Sequence, residues 1–380
     1  MFFVAYLIIA LACASITIKT LVGYSDISFI NKILISAIVV FGWVAPLVVN
    51  GLKHYQGVGA DLYSSLYSVG YTMLGFVFIL FCLLMIRDLI WYGVYGSARA
   101  LGMDGWSLNP KNISVLWYAN LIVILLSIII CSFALYNGTK VPDIKEIKAE
   151  TPLVKKDLRI VQLSDLHINR TTPVNRVHRV VEAVNNLNPD IIVLTGDIGD
   201  DDVGVLDEQL AALQYLSAPY GIYASIGNHE FYNGLNSWIY QYGKMGFEVL
   251  FNKGMTVAND IFIAGIPDAF TANSDPSLNV NFSHSLSGSN QKQYKILLSH
   301  NPELANSISS FNFQMMLAGH THGGQIFPFH IFVKKANQYL SGDYDVNGIK
   351  LHVSNGAGTW GPKMRLFASS EITVIDLIKK

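Results

Sequence analysis

The 380-residue chain has only three cysteines, Cys13, Cys82 and Cys131, and none after residue 131. All three lie in apolar stretches, which excludes a disulfide framework and leaves the C-terminal half compatible with either redox compartment. Charge is scarce as well. Asp, Glu, Lys and Arg make up 14% of the residues against 51% hydrophobic, and the mean hydropathy of +0.37 is too high for an ordinary soluble domain. The formal net charge is −1, and no basic stripe or basic and aromatic patch occurs, so nothing points to nucleic acid. Internal repeats and low-complexity tracts are also missing.

The scarcity of charge is uneven. Residues 1–139 hold six Lys and Arg (Lys19, Lys32, Lys53, Arg87, Arg99, Lys111) and four acids (Asp26, Asp61, Asp88, Asp104), whereas the remainder holds 20 and 23. Four uncharged apolar runs stand out, at residues 2–18, 33–49, 66–86 and 115–136. Each is close to the roughly 17–25 residues that a helix needs to cross a bilayer, so 1–139 reads as an integral, multi-pass region of four transmembrane helices. The first run lacks a basic segment before it and three more follow, which favours a retained helix over a cleaved signal. Residues 87–111, with Trp91, Tyr92, Tyr95 and Trp106 among charges, suit either the headgroup region or a plain connecting loop. Lys19, Lys32, Arg87, Arg99 and Lys111 flank one side; Lys53, Lys140, Lys145, Lys148 and Lys155 flank the other, a tie. Weighting the short loops more heavily places the globular half outside the cytoplasm.

Residues 140–157, lysine-rich and containing Pro142 and Pro152, read as a linker. From 158 to 380 the texture changes to short apolar runs alternating with helical periodicity. Strands are expected at 159–163, 191–195 and 222–226, and later at 261–264, 295–298, 315–317, 351–354 and 372–376. Helices are expected at 173–187, with Thr172 as cap and Pro173 at its first position, and at 205–216. Such alternation argues a layered α/β domain with its site along the strand ends.

Each of several strand ends delivers metal-binding side chains. The first carries Asp165 and His167, two apart and therefore on one side of an extended segment. The second runs into Gly196-Asp197 and Asp200, the third into Gly227-Asn228-His229-Glu230. Further on come His300 and the run Gly319-His320-Thr321-His322. Each fragment alone has a bland reading as a turn or a helix cap; the ordered set does not. Oxygen and imidazole donors without thiolate suit Mn, Fe or Zn.

This ordered set closely resembles the calcineurin-like metallophosphoesterase family, in particular its membrane-linked subgroup, which is similar to UDP-2,3-diacylglucosamine hydrolase-type enzymes. The resemblance implies an α/β/β/α sandwich over 158–380. It makes Asp165, His167 and His322 ligands of one divalent ion, and Asn228, His300 and His320 ligands of a second, with Asp197 bridging them. His229 would stand beside the substrate as proton donor, and two ions, Mn first among the candidates, would share an activated hydroxide. The implied substrate is a phosphorylated small molecule or a lipid carrying a phosphoester or pyrophosphate at the bilayer. A lipid-linked nucleotide of the diacylglucosamine kind would put the catalytic face in the cytoplasm, opposite to the side the short loops favour. Nucleotides or other soluble phosphoesters are the alternative substrates. A non-catalytic platform would require degenerate ligands, and these are intact.

Asp200 is expected to hold its loop, while His54, His178, His284, His330 and His352 match no block. Residues 355–365 look like the closing motif of the membrane-linked subgroup, and Arg365 could reach a substrate phosphate or support its own loop. The apolar stretch 326–332 is either a lip for a lipid chain or part of the core.

Overall fold

The computed structural model describes residues 2–23, 25–53, 59–103, 109–110, 112–268 and 278–380; Trp106, Lys111 and His54 lie outside them. Two units compose the chain, one built on residues 1–136 and the other on Asn137–Trp360 with Arg365–Lys380.

The first unit consists of helices α1 (Phe2–Val22), α2 (Phe29–Leu52), α3 (Ala60–Ala100) and α4 (Ile113–Thr139), each long and apolar enough to cross a membrane. Ala10 and Ala14 of α1, Val39 and Trp43 of α2, Val77, Leu80 and Leu84 of α3 and Val123 of α4 form its buried centre. Gly42 lets α2 and α3 approach closely, since a Cβ there would sit 2.5 Å from Val77 Cγ1. Leucines and isoleucines such as Ile8, Ile30, Leu62 and Ile129 point outward, as they would toward lipid. Residue 87 does not begin a loop: α3 continues to Ala100, and Arg87 is held by Asp88 and by the Asn120 side chain of α4.

The second unit is a sandwich of two six-stranded sheets. The first sheet has the order β1-β12-β2-β3-β4-β5 and the second β10-β11-β9-β8-β7-β6. The strands are β1 (Asp143–Thr151), β2 (Leu158–Leu163), β3 (Ile191–Thr195), β4 (Ile222–Ser225), β5 (Glu248–Val249) and β6 (Lys253–Val257). The rest are β7 (Ile261–Gly265), β8 (Tyr294–Leu298), β9 (Met315–Ala318), β10 (Gly342–Val346), β11 (Ile349–Val353) and β12 (Glu371–Lys379). Strands β2 to β5 run parallel, as do β7, β8, β9 and β11, so their C-terminal ends open on one edge of each sheet.

Alternation within the strands builds the layers. Ile160, Ile191 and Val193 face Ile263, Ile296 and Leu317 between the sheets. Their neighbours Val161, Ile192 and Leu194 face helices instead. One of these, α5 (Val174–Asn185), buries Val177, Val180, Val181 and Val184, a helical spacing, and α6 (Asp207–Leu213) buries Leu210 and Leu213. Phe262, Leu297 and Met316 make the opposite outer core. Helices α7 (Asn228–Tyr232) and α8 (Leu235–Lys244) follow β4.

Three local expectations change. The stretch expected as a linker contains β1, which pairs in parallel with β12 from Asp143 opposite Glu371 to Thr151 opposite Lys379. Its first four residues are exposed, so this edge strand carries few apolar side chains and is bonded through its backbone. Helix α5 starts at Val174 after Pro173, because the Thr172 hydroxyl accepts from Asn169 N at 3.0 Å and closes a turn rather than capping the helix. Finally, α6 is shorter than 205–216, with a 3₁₀ turn at Val203–Val205 preceding it.

Candidate metal centre

The site lies where β2, β3, β4, β8 and β9 end. A regular strand cannot turn two side chains of adjacent loops onto one point, and the chain meets this demand with left-handed backbone. Asp165, His167, Asp197, His320 and His322 have φ of 53°, 48°, 53°, 73° and 53°, values rare for residues with a Cβ. Hydrogen bonds between the loops fix these conformations. Asp165 N donates to Gly196 O at 3.0 Å, His167 N to Asp197 O at 3.0 Å, and His320 N to the Asp165 carboxylate at 3.0 and 3.1 Å. Gly227 and Gly319 allow the approach: a Cβ on Gly227 would stand 2.2 Å from Asp197 Oδ1, and one on Gly319 2.3 Å from Asp165 Oδ2.

Two clusters result. In the first, His322 Nε2 lies 2.8 Å from His167 Nε2 and 3.4 Å from Asp165 Oδ1. In the second, His300 Nε2 lies 3.1 Å from Asp197 Oδ2 and 3.2 Å from His320 Nδ1. Asp197 Oδ2 is also 3.8 Å from His167 Nε2, which places this carboxylate between the clusters. His300 Nδ1 is 2.8 Å from the Thr195 carbonyl, a contact that needs an N–H, so in the neutral ring the lone pair stands on Nε2.

His229 is set beside them. Its Nδ1 is 2.6 Å from Asp200 Oδ1, the same oxygen that lies 2.6 Å from His167 Nδ1, and its Nε2 is 3.8 Å from Asp197 Oδ2. Burial alone would lower the His229 pKa, but Asp197 and Asp200 outweigh it and raise it to about 9. Burial would likewise raise the Asp197 carboxyl, yet His300 and His229 hold it well below the usual carboxylate range.

Two residues escape a reading of the motifs. Glu230 is fully buried and accepts from the backbone N–H groups of Asp197 (3.0 Å), Ile198 (2.6 Å), Gly199 (3.2 Å) and Gly227 (2.9 Å), and from Tyr242 Oη (3.1 Å). It fastens the Asp197 loop to α7; its place after His229 was the only signal. Asp268, buried just past β7, acts electrostatically on His300 and His320, and only its strand-end position could have suggested it. Arg365, in contrast, has no exposed surface and does not face a substrate; its guanidinium is directed at backbone carbonyls and at His322. His352 is buried away from the ligand clusters against Asp343, Glu371 and Thr373.

A calcineurin-like phosphoesterase profile matches residues 158–324. An uncharacterised metallophosphoesterase of Campylobacter jejuni is 35% identical over 258 residues, covering 67% of this chain and 68% of its own length. The chain belongs to the calcineurin-like phosphoesterases. Family membership makes it, by class, a metal-dependent phosphoester hydrolase. It is also similar to a Danio rerio transmembrane protein with metallophosphoesterase domain, 30% identical over 272 residues, 67% of this chain and 62% of that one. The chain thus spans about two thirds of the length of these curated relatives. Among solved structures, a dimetal phosphatase from Danio rerio aligns with 58% of this chain and 93% of its own at 14% identity, TM-score 0.36.

The donors of this phosphoesterase fit divalent ions. Three groups, Asp165 with His167 and His322, Asp197 with His300 and His320, and His167 with Asp197 and His229, bring their ligand atoms within 4.8 Å of one another. His167 Nε2 and His322 Nε2, 2.8 Å apart, can share a cation or a proton. Among the described residues Asn228 Oδ1 is buried with no hydrogen-bond partner, an orphan that a metal ion would satisfy.

Proposed function

We propose that the chain hydrolyses a phosphoester or pyrophosphate bond of an amphiphilic, lipid-linked substrate. One observation carries the hydrolytic part: loops from four strand ends converge so that six candidate ligands form two clusters, with Asp197 of the second 3.8 Å from His167 of the first. Asp165, His167 and His322 would hold one divalent ion, Asn228, His300 and His320 the other, with Asp197 common to both. Bound there, Mn²⁺ or a similar pair supplies a water of lowered pKa and positive charge against the phosphoryl oxygens.

The chain's own groups do the rest. Asp200 engages His229 Nδ1 and so points His229 Nε2 toward Asp197. With Asp200 accepting at Nδ1, a protonated His229 can deliver its proton from Nε2 to the departing oxygen. Glu230 gives up no proton; its bonds to four backbone amides keep the Asp197 loop in place.

The stretch after the His-x-His ligands supports a lipid-linked substrate. Ile326 is buried, but Phe327, Phe329, Ile331 and Phe332 are exposed, and Phe367 packs edge-on against Phe327 while remaining 82% exposed. These aromatic groups begin two residues after Gln325, whose own N–H donates to the His322 carbonyl. Lys334 and Lys335 end the following helix, His330–Asn337. An apolar lip ending in lysines suits acyl chains below an anionic headgroup.

Purified full-length protein in detergent with Mn²⁺ should cleave a dispersed lipid pyrophosphate or phosphodiester with kcat/KM at least about tenfold above that for nucleotides. A preference for nucleotides removes the lipid assignment and leaves the hydrolase; no cleavage of either class, or of an aryl phosphoester, removes both.

A further inference from the structure

Arg365 is fully buried, and among the described residues no carboxylate lies within ion-pair distance of it. A cation taken out of water without a paired anion is costly, so its surroundings must compensate. They do so with backbone. Nε donates to Gly358 O at 3.0 Å, Nη2 to Gly358 O at 2.6 Å and to Gly356 O at 3.1 Å. Nη1 donates to His322 O at 3.1 Å and to Ala368 O at 3.2 Å, and Nη2 lies 3.1 Å from His322 Nδ1.

The strip that Arg365 gathers lies directly on the other ligand loop. Ala357 N donates to Ser164 O and Gly358 N to Asp165 O, both at 2.8 Å. The contact has no slack, since a Cβ on Gly356 would come within 2.6 Å of Asp165 Cβ and one on Gly358 within 2.0 Å of Leu166 O. A single guanidinium therefore ties the loop of Asp165 and His167, through Gly356 and Gly358, to His322. These are the three ligands of one cluster. None of the bonds of Arg365 reaches Asn228, His300 or His320.

We infer that Arg365 is a positioning residue for one metal position only, the one formed by Asp165, His167 and His322, and that it sets the affinity there independently of the second. The inference rests on the two-ion reading above. The planar fork is what the site uses: Arg365→Lys keeps the charge but cannot reach four carbonyls at once.

Full-length protein stripped by chelation and titrated with Mn²⁺, with bound metal counted after dialysis, tests it. Wild type should take up two ions. Arg365→Lys should keep one at unchanged affinity and bind the other about 10–100-fold more weakly, the loss usual when a group behind a metal ligand is removed. The Mn²⁺-induced rise in melting temperature should shrink correspondingly. If the lysine variant does not fold, Gly356→Ala displaces the same strip with the guanidinium retained and should give the same selective loss. Equal weakening of both positions, or of neither, overturns the assignment. A wild type that binds fewer than two ions overturns the two-ion reading beneath it.

Discussion

Asp200 Oδ1 engages His167 and His229 alike, yet the two imidazoles are set to different work: His167 turns Nε2 into a ligand cluster and His229 holds a proton near it. His229→Ala should lower kcat by about 10²–10⁴ while both Mn²⁺ ions are retained, as counted by elemental analysis. Loss of an ion instead would put His229 among the ligands. Because the protonated form is the working one, kcat should fall as pH rises through the titration of His229, and the residual rate of the alanine variant should lack that limb. Gly227→Ala, whose Cβ would meet Asp197 Oδ1 at 2.2 Å, should cost about a hundredfold in activity with less than two ions bound. At this scale the candidate ligands could be named because Asp165, His167, Asp197, Asn228, His300, His320 and His322 stand in unbroken short motifs. Glu230 was not legible in its role, since its partners are backbone amides that no side-chain pattern announces; for Arg365 the sequence left loop support and substrate contact open, and its bonds go to carbonyls of its own loop.

Among the elements, the strands with alternating apolar residues were plain in the sequence and the edge strand β1 was not, because it is charged and joined to β12 through its backbone. The two sheets are also linked by a polar contact that the sequence left without a role. His352 on β11 places Nδ1 2.7 Å from Asp343 Oδ1 on β10 of its own sheet, and Nε2 3.2 Å from Glu371 Oε1 on β12 of the other. Burial opposes charge on His352, but hydrogen bonds to Asp343 and Glu371 raise its pKa above the ordinary 6.5. The Asp343 carboxyl is lowered, chiefly by its bond to His352; burial would raise Glu371, but His352 lowers it too. Stability from the raised histidine is complete below 6.5 and lost as pH rises through its folded value. Stability from the lowered carboxylates is present above their ordinary values of 3.8 and 4.5 and lost as pH falls. His352→Gln should therefore destabilise by about 2 kcal/mol near pH 5.5, with the difference from wild type shrinking toward pH 9 in thermal melts. A difference that grows with pH would contradict this account of the contact.

For the whole molecule, four membrane-length helices and a phosphoesterase sandwich were both readable, the first from charge-free runs and the second from motif order at strand ends. The side of the membrane was not, because the flanking lysines and arginines balance. The short-loop weighting would put the catalytic half outside, and the absence of cysteine after residue 131 makes this measurable. With the three native cysteines replaced by alanine, Tyr240→Cys, at an exposed position on α8, should react with an impermeant thiol reagent in intact cells. Labelling only after permeabilisation would place the domain in the cytoplasm. Asp197, the carboxylate between the two clusters, is the residue that both ions would share. Full-length Asp197→Asn and wild type should be assayed together with Mn²⁺ on an aryl phosphodiester and their bound metal counted. The expected result is two ions and turnover in wild type against fewer ions and at least about a thousandfold less turnover in the variant. Full activity in Asp197→Asn would contradict it.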